Sequence, residues 1–469
     1  MRPFLLPVLL ALSACSLAPD LEKPDPPVPA AYPSPVAGES AASLDWRAMF
    51  GDPRLQRLIT LALDHNRDLR LAALNVEAVQ AQYAIERAAR FPALSANGGF
   101  TRQRLAADPT KADSPASLQN QHGLGIGVSA FELDLFGRVR SLSDAAFARY
   151  LASEEGSRAA RIALVGAVAD AYCAERLAEE QRDLAERTLA DWRQSLALAR
   201  RLKAADQNSG LDIAQAEGQV ATAEADLEGR GRALARASNA LALLVGTGLP
   251  RDLPPPRPLD DGAVRTRLPA GLPSDLLIHR PDIRRAEQAL IAANANIGAA
   301  RAAFFPRLSL TSSVGFASPL LGSLFDGAQQ VWSFSPQITQ PLFQGGQLRA
   351  ELRLAEIRHS EAVADYERTI QTAFREVADG LAGSATYGRQ IEAQDRIVAS
   401  AARRVELSTL RYRSGLEGRL ELLDAQRQLY AARQTRLDLK REDISNAIGL
   451  YKALGGGAAA APTDARQGS

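Results

Sequence analysis

The sequence predicts an internally duplicated membrane protein of mixed α and β class, with four β-strands and two long helical hairpins in each chain. Three observations carry this expectation. One stretch recurs, two very long spans lack proline, and four short segments alternate apolar with small polar residues.

The recurring stretch is "HNRDLRLAALNVEAVQAQYAIERAARFPALS" from His65, echoed by "HRPDIRRAEQALIAANANIGAARAAFFPRLS" from His279, 214 residues later. The two share 13 of 31 positions, including Arg70/Arg284, Ala88-Ala89/Ala302-Ala303 and Leu94-Ser95/Leu308-Ser309. Each copy ends in Phe-Pro (Phe91-Pro92, Phe305-Pro306). Proline there ends a helix and turns the chain toward extended backbone. His65-x-x-Asp68 and His279-x-x-Asp282 precede these helices, and each Asp is expected to cap free N–H groups.

Residues 116–249 and 342–461 contain no proline, although the chain has 26. Proline costs about 3 kcal/mol in a helix interior, so its absence marks helix. Arg138 to Ala205 has few glycines, and as one helix it would be about 100 Å long. Leu416, Leu423, Tyr430, Leu437, Ile444 and Tyr451 recur every seven residues, the period of a helix lying along a neighbour in a coiled coil.

Four strand segments follow the Phe-Pro signals. Leu94, Ala96, Gly98 and Phe100 alternate with Ser95, Asn97, Thr101 and Gln103, while Leu124, Ile126, Val128 and Ala130 alternate with Gly and Ser. In the second copy, Leu308, Leu310, Val314 and Phe316 oppose Ser309, Thr311 and Ser313. Trp332, Phe334 and Ile338 oppose Ser333, Ser335, Gln337 and Thr339. A face of small uncharged polar residues suits a water-lined interior, and the apolar face suits lipid. The leader is followed by no apolar helix of spanning length, so crossing a bilayer requires a closed barrel. Four strands cannot close one, since the smallest need about eight. Several copies are therefore required, and three would supply twelve strands.

Basic and acidic residues nearly cancel, 55 against 54, which argues against a nucleic-acid partner. No Walker, GxSxG, HExxH or CxxC pattern occurs, so no catalytic residues, metal ligands or cofactor are expected. Residues 1–14 read as a signal peptide: Arg2, a short apolar run, then small residues. Leu12-Ser13-Ala14-Cys15 resembles a bacterial lipobox, making Cys15 the lipidation site, with Ser16 favouring the outer membrane. The remaining thiol, Cys173, is expected to be a small buried side chain. Residues 15–60 are assigned to the lipidated N-terminus and a Pro-rich spacer, 61–247 to the first repeat and 248–275 to a Pro-rich linker. Residues 276–454 form the second repeat, and 455–469 are expected to be a disordered tail.

The duplicated plan resembles the TolC family of outer membrane factors, in its lipoprotein branch. "HRPDIRRAEQAL…AARAAFFPRLSL" and "QPLFQGGQLRAELRLAE" are the most similar segments, and the resemblance covers about residues 45–455. It implies a homotrimer: a twelve-stranded barrel in the outer membrane, continued by an α-helical coiled-coil tunnel through the periplasm. It further implies export of small molecules, without catalysis, in partnership with a periplasmic adaptor and an inner-membrane pump. A protein-secretion duct and a structural periplasmic coiled-coil lipoprotein are the alternatives.

The resemblance also places function at the helical hairpin tips. Tyr412, Gly415, Glu421 and Asp424 match the family's tip spacing. Glu421 and Asp424 would then form acidic rings at the periplasmic gate, with Tyr412 among the links that hold it shut. Gly415 and Leu416 would receive the adaptor. In the first copy Gly210 and Leu211 are the corresponding docking residues and Asp212 the corresponding acid. That match departs from the pattern, because Asp206 falls where glycine is expected.

Overall fold

The structure is a computed structural model that describes residues 17–32, 41–106, 117–207, 209–260, 262–271 and 273–456. Cys15, the signal peptide and the tail beyond 456 lie outside the described residues. Two compact units are present, one comprising Met1–Asp25, Asn75–Glu154 and Arg285–Tyr366, the other Pro26–Leu74, Glu155–Arg284 and Glu367–Ser469.

The chain runs through α1 (Trp46–Met49), α2 (Pro53–His65), α3 (Arg67–Ala88), β1 (Leu94–Leu105), β2 (Ser117–Leu133), α4 (Arg138–Ala204) and α5 (Gly210–Val245). The second copy follows as α6 (Asp275–His279), α7 (Pro281–Ala302), β3 (Arg307–Ser318), β4 (Gln330–Thr339), α8 (Gln347–Arg413) and α9 (Arg419–Ala453). Both α4 and α8 are unbroken over 67 residues, and each is followed by a shorter partner helix. Among the described residues no helix is long and apolar enough to cross a membrane.

The first unit holds one antiparallel sheet in the order β1-β2-β3-β4. Its register turns the alternation in sequence into two faces. Ala96, Ile126, Val314 and Trp332 line up across all four strands on one face, and Ser95, Gly127, Ser313 and Ser333 do so on the other. The apolar row is open to the surroundings, with Trp332 77% exposed. On the polar row Ser313 and Ser333 hydroxyls lie 2.8 Å apart in a hydrogen bond. β1 and β4 each have one neighbour in the described sheet.

The alternation read for β2 stops two residues early. Val128 pairs with Ser312 but Phe131 pairs with Leu310, so Ser129 and Ala130 form a bulge opposite Thr311. Ala130 has φ 51°, and its N–H donates to the Thr311 hydroxyl at 3.1 Å. Phe131, not Ala130, therefore continues the apolar row. β2 and β3 approach closely where Gly125 faces Gly315, and a Cβ on Gly315 would stand 2.5 Å from the Gly125 Cα.

The Pro-rich segment expected to be a spacer is docked. In the first unit, Asn294 Nδ2 of α7 donates to the Pro19 carbonyl (2.8 Å) and Arg301 to that of Leu17 (3.3 Å), while Lys23 pairs with Glu287. From Leu17 to Lys23 the backbone runs along α7 away from the end from which β3 departs. Gly298 leaves room for it, since a Cβ there would come within 2.8 Å of the Ala18 nitrogen.

In the second unit α2 buries Leu55, Leu58, Ile59 and Ala62, and Phe50 meets Tyr451 edge to face. α2 begins at Pro53, inside the range expected to be spacer. The linker is likewise structured, with Leu268 and Ala270 buried and Val264 bridged to Phe50. Its Asp260 pairs with Arg436 (2.7 Å) and Lys440 (3.3 Å). Burial raises the Asp260 carboxyl, but the Arg436 hydrogen bond and charge, aided by Lys440, outweigh it and hold the group below its ordinary range. The expected capping holds at Asp282, whose carboxylate accepts from the first-turn Ile283 N–H (3.0 Å), and fails at Asp68. Asn66 caps α3 through the Leu69 N–H (2.9 Å), while Asp68 stands inside the first turn. Asp282 grips Arg280, which also reaches Glu376 (2.7 Å) and the Ala453 carbonyl (3.0 Å). Of the seven-residue series, Leu423, Ile444 and Tyr451 are buried, whereas Leu416 precedes α9 and is 72% exposed.

Replacing Gly315 by Val is expected to remove the β-sheet signal in circular dichroism and the heat-modifiable gel mobility of the detergent-purified protein. Gly99→Ala, with no atom near its added Cβ, is expected to leave both unchanged.

Candidate functional site: the hairpin tips

Both hairpin tips belong to the second unit. At the second tip, α8 ends in a paired turn: the Leu416 N–H donates to the Arg411 carbonyl (3.0 Å) and the Gly415 N–H to that of Tyr412 (3.1 Å). This is a Schellman motif, and Gly415 supplies the left-handed residue it needs, at φ 68°. The first tip makes the same turn without glycine. Gln207 donates to Leu202 (2.9 Å), Asp206 to Lys203 (3.0 Å), and Asp206 itself is left-handed at φ 57°. The short polar Asp side chain tolerates this conformation better than most.

The correspondence between the tips follows. Asp206 stands for Gly415, Ser209 for Gly418 at the helix start, and Asp212 for Glu421. Gly210 is therefore the first helical residue of α5 and not the turn glycine, and Gln215 occupies the place of Asp424. Leu211 and Leu420 are equivalent and both exposed.

The two tips are fastened differently. Ser209 and Asp212 form a complete capping box, with the Asp212 carboxylate accepting from the Ser209 N–H at 2.9 Å. Gly418 offers no side-chain cap to α9. There the first residue, Arg419, provides the anchor. It is 2% exposed, its guanidinium lies 5.6 Å from the Tyr412 ring centre, and it reaches Ser195 of α4 at 3.3 Å. Tyr412 is accordingly buried within its own chain, at 6% exposure.

Glu421 and Asp424 lie one turn apart on the same flank of α9 and remain half exposed. Both face Arg404 of α8, with Asp424 at 2.8 Å and Glu421 at 3.5 Å. Gln428 completes the cluster, accepting from Arg404 (2.6 Å) and donating to Asp424 (3.0 Å). Sequence reasoning missed Arg404 and Arg419. Arg404 lies 20 residues before Asp424, across the hairpin, where no local spacing signals the contact.

Among the described residues no group of His, Cys, Asp and Glu could hold a metal ion. Burial pushes the Cys173 thiol up to about 12, so it is inert at neutral pH.

A sheet with an exposed apolar face and a small-polar opposite face, carried with two 67-residue helices, defines a barrel-forming outer membrane protein with a long helical body. Comparison with known proteins specifies the kind. The family model described as outer membrane efflux protein matches residues 58–247 and 272–456. The chain is 46% identical over 453 residues to the probable efflux pump outer membrane protein TtgC of Pseudomonas putida, covering 95% of this chain and 93% of that one. It is 43% identical to the outer membrane protein OprJ of Pseudomonas aeruginosa, covering 96% and 94%. Among solved structures, a membrane protein from Pseudomonas aeruginosa matches with a TM-score of 0.89 and 42% identity, covering 94% of this chain and all of that one. The open state of the MtrE outer membrane channel of Neisseria gonorrhoeae matches at 0.87 and 40%, covering 94% and 98%. The chain belongs to the outer membrane efflux protein family.

The two turns make a paired prediction. Gly415→Ala is expected to lower the opening free energy of the second tip by about 1 kcal/mol, because it forces a side chain into the left-handed region. Asp206→Gly is expected to raise that of the first tip by up to about 1 kcal/mol. Amide hydrogen exchange at the two tips measures both.

Proposed function

We propose that three copies of this chain close a twelve-stranded barrel in the outer membrane, continued by a helical tunnel through the periplasm. The duct passes small organic molecules outward when engaged by a periplasmic adaptor and an inner-membrane pump, which supplies the energy. The observation that supports this most directly is the sheet itself: an apolar face open to its surroundings and a free edge at both β1 and β4. In lipid a free edge is untenable, so the edges are satisfied by neighbouring copies. Relatives named for the efflux of antibiotics and toluene favour small organic cargo over a protein substrate. No catalytic step or cofactor is required.

Within this reading Glu421 and Asp424 line the periplasmic gate, Tyr412 helps to seal it, and Asp212 is the first tip's acid. The Leu416 and Leu211 side chains, exposed at the tips beside Gly415 and Gly210, offer the adaptor apolar contact. Cys15 carries the lipid. The docked strap supports this, because Leu17 is held at Arg301, close to the start of β3 at Arg307.

The purified protein is expected to form small, cation-selective channels in planar bilayers, and the Glu421→Ala/Asp424→Ala variant to form wider or less selective ones. A folded protein that never conducts would contradict the duct. Cys15→Ala is expected to abolish incorporation of radiolabelled palmitate; undiminished labelling would remove the anchor assignment.

A further inference from the structure

Counted from sequence, the gate residues of the second tip bring two negative charges per chain. The structure brings a third charge to the same place. Arg404 stands on α8, and its guanidinium is held by three side chains of α9: Glu421, Asp424 and Gln428. One nitrogen reaches both carboxylates, at 2.8 and 3.5 Å, while the other donates to the Gln428 amide. Gln428 also donates to Asp424, so the cluster closes on itself.

A guanidinium does not lose its proton at any physiological pH, so this charge is permanent. The separations are far below the screening length of about 8 Å at physiological salt, so a passing ion senses the sum of the three groups. Two other arginines of this tip are engaged elsewhere. Arg411 pairs with Glu417 at 3.3 Å, and Arg419 is buried against Tyr412. Arg427 lines a separate cavity of about 320 Å³ with Trp192, Asp226 and Tyr430.

We propose that Arg404 is a selectivity-determining residue of the duct: it places one fixed positive charge against Glu421 and Asp424, leaving this cluster of the second tip with one net negative charge per chain. This rests on the reading of those two acids as gate residues. The mouth is then weakly cation-selective in the native protein, and removing Arg404 strengthens that preference. Because Arg404 bridges the two helices of one hairpin, its counter-charge travels with the acids when the hairpin moves.

The test is the reversal potential of single channels in planar bilayers under a tenfold KCl gradient, for the native protein, Arg404→Gln, Arg404→Lys and Glu421→Gln/Asp424→Gln. The potassium-to-chloride permeability ratio is expected to rise at least twofold in Arg404→Gln. It should stay near the native value in Arg404→Lys, which keeps the charge but loses the forked geometry. In the double acid variant it should fall to unity or below. If the acid variant shifts and Arg404→Gln does not, Arg404 has no part in selectivity and the inference is overturned. If Arg404→Lys behaves as Arg404→Gln, bracing and not charge is at work, which also overturns it. If none of the variants shifts, the acids do not line the mouth, and the reading beneath the inference fails with it.

Discussion

In a bilayer the strand backbone has no water to bond, so every N–H and C=O of a spanning segment must find a partner in protein. A sheet of four strands satisfies its interior and leaves two edges bare. Most other features of this molecule can be understood from that deficit. The chain provides too little to close a barrel alone, and duplication lets each copy contribute strands and a helical hairpin in equivalent positions. Paving a cylinder from six near-equal pieces needs one supersecondary plan, used twice per chain and repeated among chains. The glycine pair between β2 and β3, which lets two backbones meet closely at the seam between the copies, fits the same need.

The helical part meets a different constraint. A 67-residue helix is stable only when its apolar stripe lies against neighbours, since propensity alone contributes little. In the second unit those neighbours include the linker between the repeats, which lies against the helices through Asp260, Arg436 and Lys440 and buries Leu268. The tips, farthest along the hairpins, show where the duplication has been relaxed. One turn uses Asp206 with a full capping box, and the other uses Gly415 with no side-chain cap and a buried Arg419. Equivalent backbones have thus been given unequal fastenings, with the second acid present at one tip only.

How much of this was legible in the sequence depends on the distance over which each interaction acts. Where helix was expected it was legible from proline placement, a local signal; α4 begins at Arg138 and ends one residue before the expected Ala205, whereas β2 starts at Ser117, well ahead of the alternation read from Leu124. The bulge at Ser129-Ala130 was not legible, since nothing in an alternating run marks where register slips. The Pro-rich segments read as spacer and linker because composition cannot reveal that Pro19 meets Asn294 or that Leu268 is buried. The tip acids were expected from the spacing of a family resemblance, whereas Arg404 pairs across the hairpin and leaves no such trace. Asp206 is an instructive middle case. Its place opposite an expected glycine was visible, but only the backbone shows that it takes the glycine's conformation.

Stoichiometry bears most directly on the central claim. Native mass spectrometry of the protein released from detergent micelles is expected to give one species at three chain masses, stable until the sheet unfolds. A folded monomer or dimer, with its sheet intact and its edges unpaired, would contradict barrel closure by three copies and with it the duct.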